Sequence, residues 1–385
     1  MTPPPPSRMP PEPEAPAQRL TSFVLYETEA RFYLLGSTPG LESWRVLKID
    51  RHQADLSVSE VDADYSDADA KELLDSLRAG NDPSGGLTKV CEASAVAGFL
   101  RLLGGYYLLL VTGVRVVGRL FGHAILRVER SKLVPMLHPR HRPQGAAAWA
   151  ERRYVGLVKA LDLSRDFYFS YTYDLGASLQ EQGRGADEGM FCWSAYLSRA
   201  LRSRVTGGAR WVVPLMHGFF RQEVLSVLGR PLTITLVARR SRYFAGTRYL
   251  KRGASEDGRV ANEVEIEQIV TSGLPDAANP EGAASLTQLR GSIPLPWSQE
   301  AGVGTLKPSI AITRRDPLYQ AARRHFEGVV ARYGGPCVAL DLVRAEEARA
   351  RVSILCRCEG LSSVPVTSTP RLRRPRALPF ASPLC

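Results

Sequence analysis

An apolar run, Leu232 to Val237, leads directly into a dense cluster of cations between Arg239 and Arg252. The run reads as a buried strand. The stretch that follows, RRSRYFAGTRYLKRGASEDGRVANEVEIEQ, carries Arg239, Arg240, Arg242, Arg248, Lys251 and Arg252 and closes on Glu263, Glu265 and Glu267. Gly246, Gly253, Tyr243, Phe244 and Tyr249 are threaded among the charges. A strand that ends in clustered guanidinium groups can hold them at a sheet edge, where their forks match phosphate oxygens. The same residues also suit a solvated turn whose arginines pair with the nearby glutamates, since charge runs usually form soluble surface.

The 385 residues are enough for about two domains with a sizeable core. A net charge of +11 favours acidic partners without separating nucleic acid from an anionic membrane or a phosphorylated small molecule. No zinc-finger spacing and no RNP-like aromatic motif accompanies the basic residues, so nucleic acid is not the expected partner. The six cysteines are scattered, which suits a reducing compartment. Cys356 and Cys358 could form half of a metal site, but no second pair completes it and two unrelated thiols are expected. No metal or cofactor is implied.

Residues 1–18 contain eight prolines and no apolar stretch, the composition of a disordered leader. FVLYET, RFYLLGS and WRVLKIDR are strand-like runs separated by turn residues, and Asp67 to Leu77 has the acidic start and apolar spacing of a helix. The window Ala95 to Val117 is too interrupted by charge and glycine to span a membrane; a helix end followed by a strand over Tyr106 to Thr112 is expected. Ala147 to Leu161 is helix-like. FYFSYTYDL places Phe167, Phe169, Tyr171 and Tyr173 at period two, suited to base stacking in principle and to a core strand in most proteins. His123, His217 and His325 sit beside apolar residues as hydrogen-bonded structural imidazoles. Further on, Trp211 to His217 and Cys337 to Val343 read as strands, and Glu263 to Thr271 and Ala321 to Arg332 as helices. That alternation predicts a largely parallel sheet with helices on both faces.

RYFAGTRYLKRG with RVANEVEIEQIV resembles the central motif of the Sac-domain phosphoinositide phosphatases. FYFSYTYDL, FCW, HGF, RGSIPLPWSQ, KPSI and HFEGVVARYGGP agree in order and rough spacing, over roughly Phe23 to Leu355. The opening runs VLYETEARFYLLGS and WRVLKIDR are most similar to the endosomal polyphosphoinositide phosphatase branch. The resemblance implies an α/β protein: a Sac amino-terminal mixed α/β layer domain over 19–180, then an incomplete cysteine-phosphatase-like catalytic α/β domain over 181–355. It implies removal of the 5-phosphate of phosphatidylinositol 3,5-bisphosphate, peripheral attachment to endosomal or vacuolar membranes, and association with the lipid kinase PIKfyve and its scaffold protein. Arg239, Arg242, Arg248, Lys251, Arg252, Asn262 and Trp297 are the residues expected to meet substrate or anionic lipid.

Such enzymes carry Cys-x5-Arg, whose backbone N–H groups and arginine cradle phosphate while the same positive pocket favours the thiolate. Here the residues six positions after Cys91, Cys192, Cys337, Cys356 and Cys358 are Ala97, Ser198, Val343, Ser362 and Val364. The pair is absent, no catalytic residue is assigned, and the chain as written is expected to be inactive. Residues 356–385, rich in Pro, Ser and Arg and unlike the family, read as a disordered tail of the kind left by truncation or a frameshift. The alternative function is a non-catalytic interaction subunit of the kinase–scaffold complex.

Overall fold

The computed structural model describes residues 18–38, 43–53, 55–182, 189–247, 250–275, 282–299, 310–334, 337–339 and 366–368. Two compact units are formed, one by 1–240 with 265–288 and the other by 241–264 with 289–385. The mixed α/β class is present, but the division falls at Arg240, so the strands on both sides of residue 180 share one sheet.

In the first unit, β1 (Ser22–Glu27), β2 (Arg31–Ser37), β3 (Trp44–Asp50), β4 (Val58–Glu60) and β5 (Thr88–Ala93) make a five-stranded antiparallel sheet in the order β4-β3-β2-β1-β5. Helix α1 (Asp67–Asn81) begins with a reciprocal capping box between Ser66 and Asp69, which satisfies two amide donors at its start. Beyond it, β6 (Ala95–Leu102), β7 (Gly105–Leu120) and β8 (His123–Pro135) lead to α2 (Gly145–Lys159), β9 (Phe167–Phe169) and α3 (Ala195–Arg204). Strands β10 (Met216–Val227), β11 (Arg230–Arg240), β12 (Val264–Ser272) and β13 (Ala283–Arg290) complete an eight-stranded sheet, ordered β13-β12-β11-β10-β9-β8-β7-β6. Phe23, Leu34, Leu47, Phe99, Leu108 and Trp211 form a core shared by elements of both sheets.

The expected parallel sheet is not what forms. Every pairing from β6 to β11 is antiparallel: two-residue turns join β6 to β7, β7 to β8 and β10 to β11, while β8–β9 and β9–β10 pair across longer connections that contain α2 and α3. Leu228 and Gly229 link β10 to β11 with φ of 51° and 77°, the left-handed pair that matches strand twist in a two-residue hairpin. Strand β11 is buried on one face only, through Thr233, Thr235, Val237 and Arg239. The helix expected over Glu263 to Thr271 is instead strand β12: Glu265, Glu267 and Ile269 are buried at period two, the spacing of one strand face and not of a helix. The helix end expected near Ala95 is likewise strand β6, paired with β7 from Ala95↔Val111 to Leu102↔Gly105.

FYFSYTYDL is core, although only its first three residues are strand. Phe167, Phe169 and Tyr173 are buried, and the half-buried Tyr171 donates its hydroxyl to the Ser94 carbonyl at 2.6 Å. Residues Gly208–Trp211 form a 3-10 turn, so the strand expected from Trp211 begins only at Met216. In the HGF motif, Gly218 lies so close to β11 that an added Cβ would stand 1.8 Å from the Ala238 carbonyl oxygen. No larger residue fits that contact.

The second unit contains β14 (Trp297–Gln299) paired with β15 (Ile310–Ile312), helix α4 (Gln320–Tyr333), and β16 (Cys337–Ala339) paired in parallel with β17 (Val366–Ser368). The strand expected from Cys337 is described to Ala339, and its remainder to Val343 lies outside the described residues. Among the described residues, no helix is long and apolar enough to cross a membrane.

Candidate functional site

The segment after β11 is pinned by its backbone. The Ser241 amide donates to the Glu263 carbonyl at 2.9 Å, Ala261 to Gly253 at 2.9 Å, and Ala254 to Leu295 at 2.8 Å. Gly253, at φ 68°, has no space for a side chain: a Cβ would meet the Leu295 oxygen at 2.3 Å and the Trp297 nitrogen at 2.7 Å. Its amide donates to the Ser292 hydroxyl at 2.8 Å. The glycine of the KRG triplet is therefore what lets 250–262 lie against 291–297.

On this frame the cations sit over aromatic faces. The guanidinium carbons of Arg242 and Arg259 are 4.4 and 4.5 Å from the centre of the Tyr243 ring, and Arg242 also donates to the Tyr243 hydroxyl at 2.8 Å. Lys251 Nζ lies 4.9 Å from the Phe244 ring, and Arg252 5.4 Å from the Trp297 ring. A ring face orients a cation without cancelling its charge, so the arrangement suits a phosphate-bearing anion. Lys251 and Arg259 are exposed, while Arg242 and Arg252 are half-buried.

The sequence-expected residues separate into three groups. Arg242, Lys251, Arg252, Asn262 and Trp297 meet in the second unit; Asn262, at φ 54°, turns the chain and donates to the Lys251 carbonyl at 3.5 Å. Trp297 is nearly buried and donates its indole N–H to the Ile293 carbonyl at 3.2 Å, so it packs as much as it stacks. Arg239 belongs to the first unit and is fully buried on Glu265 and Glu267, which removes it from contact with any ligand. Arg248 lies outside the described residues. Arg259 escaped the sequence reading; its signal was its place in RVANE, seven residues after Arg252 and across a tight turn that only the fold closes.

No described cysteine is set up as a nucleophile. Burial pushes the Cys91 thiol up, with Lys132 opposing weakly. Cys192 is buried, 3.8 Å from the Ser194 hydroxyl, and Cys337 Sγ faces the Gly334 carbonyl at 3.6 Å. Cys356, Cys358 and Cys385 lie outside the described residues.

Comparison with known proteins decides the family: residues 94–355 match the family described as the SacI homology domain. The chain belongs to the SacI homology domain family. Phosphatidylinositol-3-phosphatase SAC1 of Arabidopsis thaliana is 43% identical over 346 residues, covering 88% of this chain and 38% of the relative. Phosphoinositide phosphatase SAC2 of the same plant is 42% identical over 343 residues, 87% of this chain and 42% of the relative. Polyphosphoinositide phosphatase of Schizosaccharomyces pombe is 38% identical over 351 residues, again 87% and 42%. The chain thus spans about two-fifths of the length of these curated relatives. The matches to these relatives cover 87–88% of the chain and so reach into the five-stranded sheet, which precedes the residues matched by the SacI homology domain.

Proposed function

We propose that this chain is the phosphoinositide-recognising part of a Sac-type phosphatase of the endosomal polyphosphoinositide branch, whose reaction removes the 5-phosphate of phosphatidylinositol 3,5-bisphosphate. The observation that carries the reading is the cation–aromatic cluster of Arg242, Tyr243, Lys251, Arg252 and Arg259, held by the motif that first suggested the family. Its charges can meet a multiply phosphorylated headgroup on endosomal or vacuolar membranes. Residues 1–385 lack a Cys-x5-Arg pair. Phosphoryl transfer to cysteine needs thiolate, anion cradle and arginine around one phosphate at once, so these residues bind lipid without turning it over.

The test is phosphate release from vesicles containing phosphatidylinositol 3,5-bisphosphate, by purified residues 1–385 and by a version extended with a Cys-x5-Arg segment. Lipid binding by both, with 5-phosphate release by the extended version alone, is expected. Release of the 3-phosphate instead, as the name phosphatidylinositol-3-phosphatase SAC1 gives for the Arabidopsis relative, would overturn the assigned position. Release by the short chain that alkylation of Cys192 or Cys337 abolishes would overturn its inactivity. The reading as a non-catalytic partner of PIKfyve and its scaffold rests on the resemblance, and co-purification of that complex with residues 1–385 tests it.

A further inference from the structure

Helix α2 lies against the first unit by one side only. That side is held by Glu151, the one acid of the helix, which is buried and accepts from the Gly104 amide at 2.8 Å; Val155 and Val158 are half-buried beside it. The opposite side carries Trp149, Arg153 and Leu157 in an i, i+4, i+8 row, with the tryptophan 63% and the leucine 59% exposed. Tyr154 and, two residues past the end of the helix, Leu161 flank this row on one side, Arg152 and Lys159 on the other, and all four are exposed; the exposed Asp162 that follows Leu161 is held by Ser164 and Arg165.

A single exposed leucine needs no explanation, but a row of large apolar side chains on one helix face does. Here the row is interleaved with three cations, and the helix exposes no carboxylate. We infer that α2 is a membrane-contact helix that lies in the plane of an anionic lipid surface. Trp149, Tyr154, Leu157 and Leu161 enter the boundary between headgroups and acyl chains, where aromatic rings with polar tips are favoured. Arg152, Arg153 and Lys159 reach the lipid phosphates, their aliphatic stems lying along the apolar row. Charge complementarity selects this occupant. A second copy docked by the same face would bring two sets of three cations together, and nucleic acid would leave the leucines uncovered. The inference does not rest on the phosphatase reading, since it concerns general anionic lipid and a different unit from the cation–aromatic cluster.

The experiment is co-sedimentation of the full chain with vesicles of phosphatidylcholine and phosphatidylserine at about 70:30, containing no phosphoinositide. Binding is expected, weakened by salt as a Debye-screened attraction. Leu157→Asp should reduce the partition coefficient at least tenfold. Arg152→Gln with Arg153→Gln should reduce it about 25-fold, about fivefold per cation, and both variants should keep the parent melting temperature because these positions are exposed. Leu225→Asp, on an exposed strand elsewhere, should bind like the parent. Absence of parental binding, or equal binding by the α2 variants, overturns the inference. So does a parental dimer that the α2 variants convert to monomer, which would make the face a contact between copies.

Discussion

Arg239 and Glu265 form an ion pair at 2.7 Å in which neither side chain has any solvent exposure. The second nitrogen of the fork meets Glu267 at 2.7 Å and the Ala177 carbonyl at 2.9 Å, and Nε donates to the Leu175 carbonyl at 2.7 Å. Glu267 in turn accepts from the Leu179 amide at 2.7 Å and the Ser285 hydroxyl at 3.0 Å. Burial alone would lower the arginine's pKa; the charges of Glu265 and then Glu267 outweigh it and hold the guanidinium above its ordinary value. Arg239→Met would leave two carboxylates buried without their cation, at a cost of about 3–5 kcal/mol. Arg239→Lys, lacking the planar fork, should also be destabilising. Urea unfolding measures both, and adding Glu265→Gln to Arg239→Met should recover part of the loss. Full stability of Arg239→Met would mean the network contributes nothing.

Gly218→Ala should be among the most damaging single substitutions in the first unit. The β10–β11 register places the Ala238 carbonyl where the methyl must go. Overpacking commonly costs about 1–3 kcal/mol, and backbone on the far side cannot rotate away as a side chain would. A melting temperature within a degree of the parent would contradict that contact.

Acid should weaken the fold through His217. Its ring stacks on Phe167 at 4.7 Å, and burial, followed by the charge of Arg240, lowers its pKa. The unfolded chain therefore binds the proton more readily. Stability is complete above the unfolded value of about 6.5 and falls as pH drops through the lower folded value. His217→Gln should flatten the slope of stability against pH below about 6.5. His138 and His325 are shifted in the same direction, so part of the slope persists. An unchanged slope in the variant would remove His217 from the cause.

Neutralising Lys251, Arg252 or Arg259 should weaken binding to phosphoinositide vesicles by about 1 kcal/mol per cation, less in high salt. Vesicle titration with variants that keep their melting temperature measures it. Loss of folding with no change in binding among the folded variants would mean that the aromatic contacts serve only to hold the segment together.

One face of the β10–β11 hairpin leaves Phe219, Leu225, Val227 and Leu236 exposed. Such a patch promotes association. Leu225→Lys with Val227→Thr should raise the soluble concentration without lowering the melting temperature, as light scattering and thermal unfolding would report. No gain would mean that aggregation, if present, begins elsewhere.

Local pattern alone was enough for the first three strands, for α1 with its acidic cap, and for α4, because apolar spacing and capping act within a few residues. It was also enough for the family, whose ordered motifs need no fold to be read. Tertiary structure decided the sheet topology, the identity of β12 and the grouping of the cations. Glu265 and Glu267 fall in a run that reads as a helix until Arg239, 26 and 28 residues away, is placed opposite them; only that contact makes burying the acids affordable and turns the segment into strand. The antiparallel pairing of β10 with β11 was likewise set by a two-residue turn whose left-handed backbone at Leu228 is not signalled by its side chain. The gathering of Arg242 and Arg259 around Tyr243 depends on a loop closed by Gly253 and Ala261, a relationship among distant backbone groups that residue order does not encode.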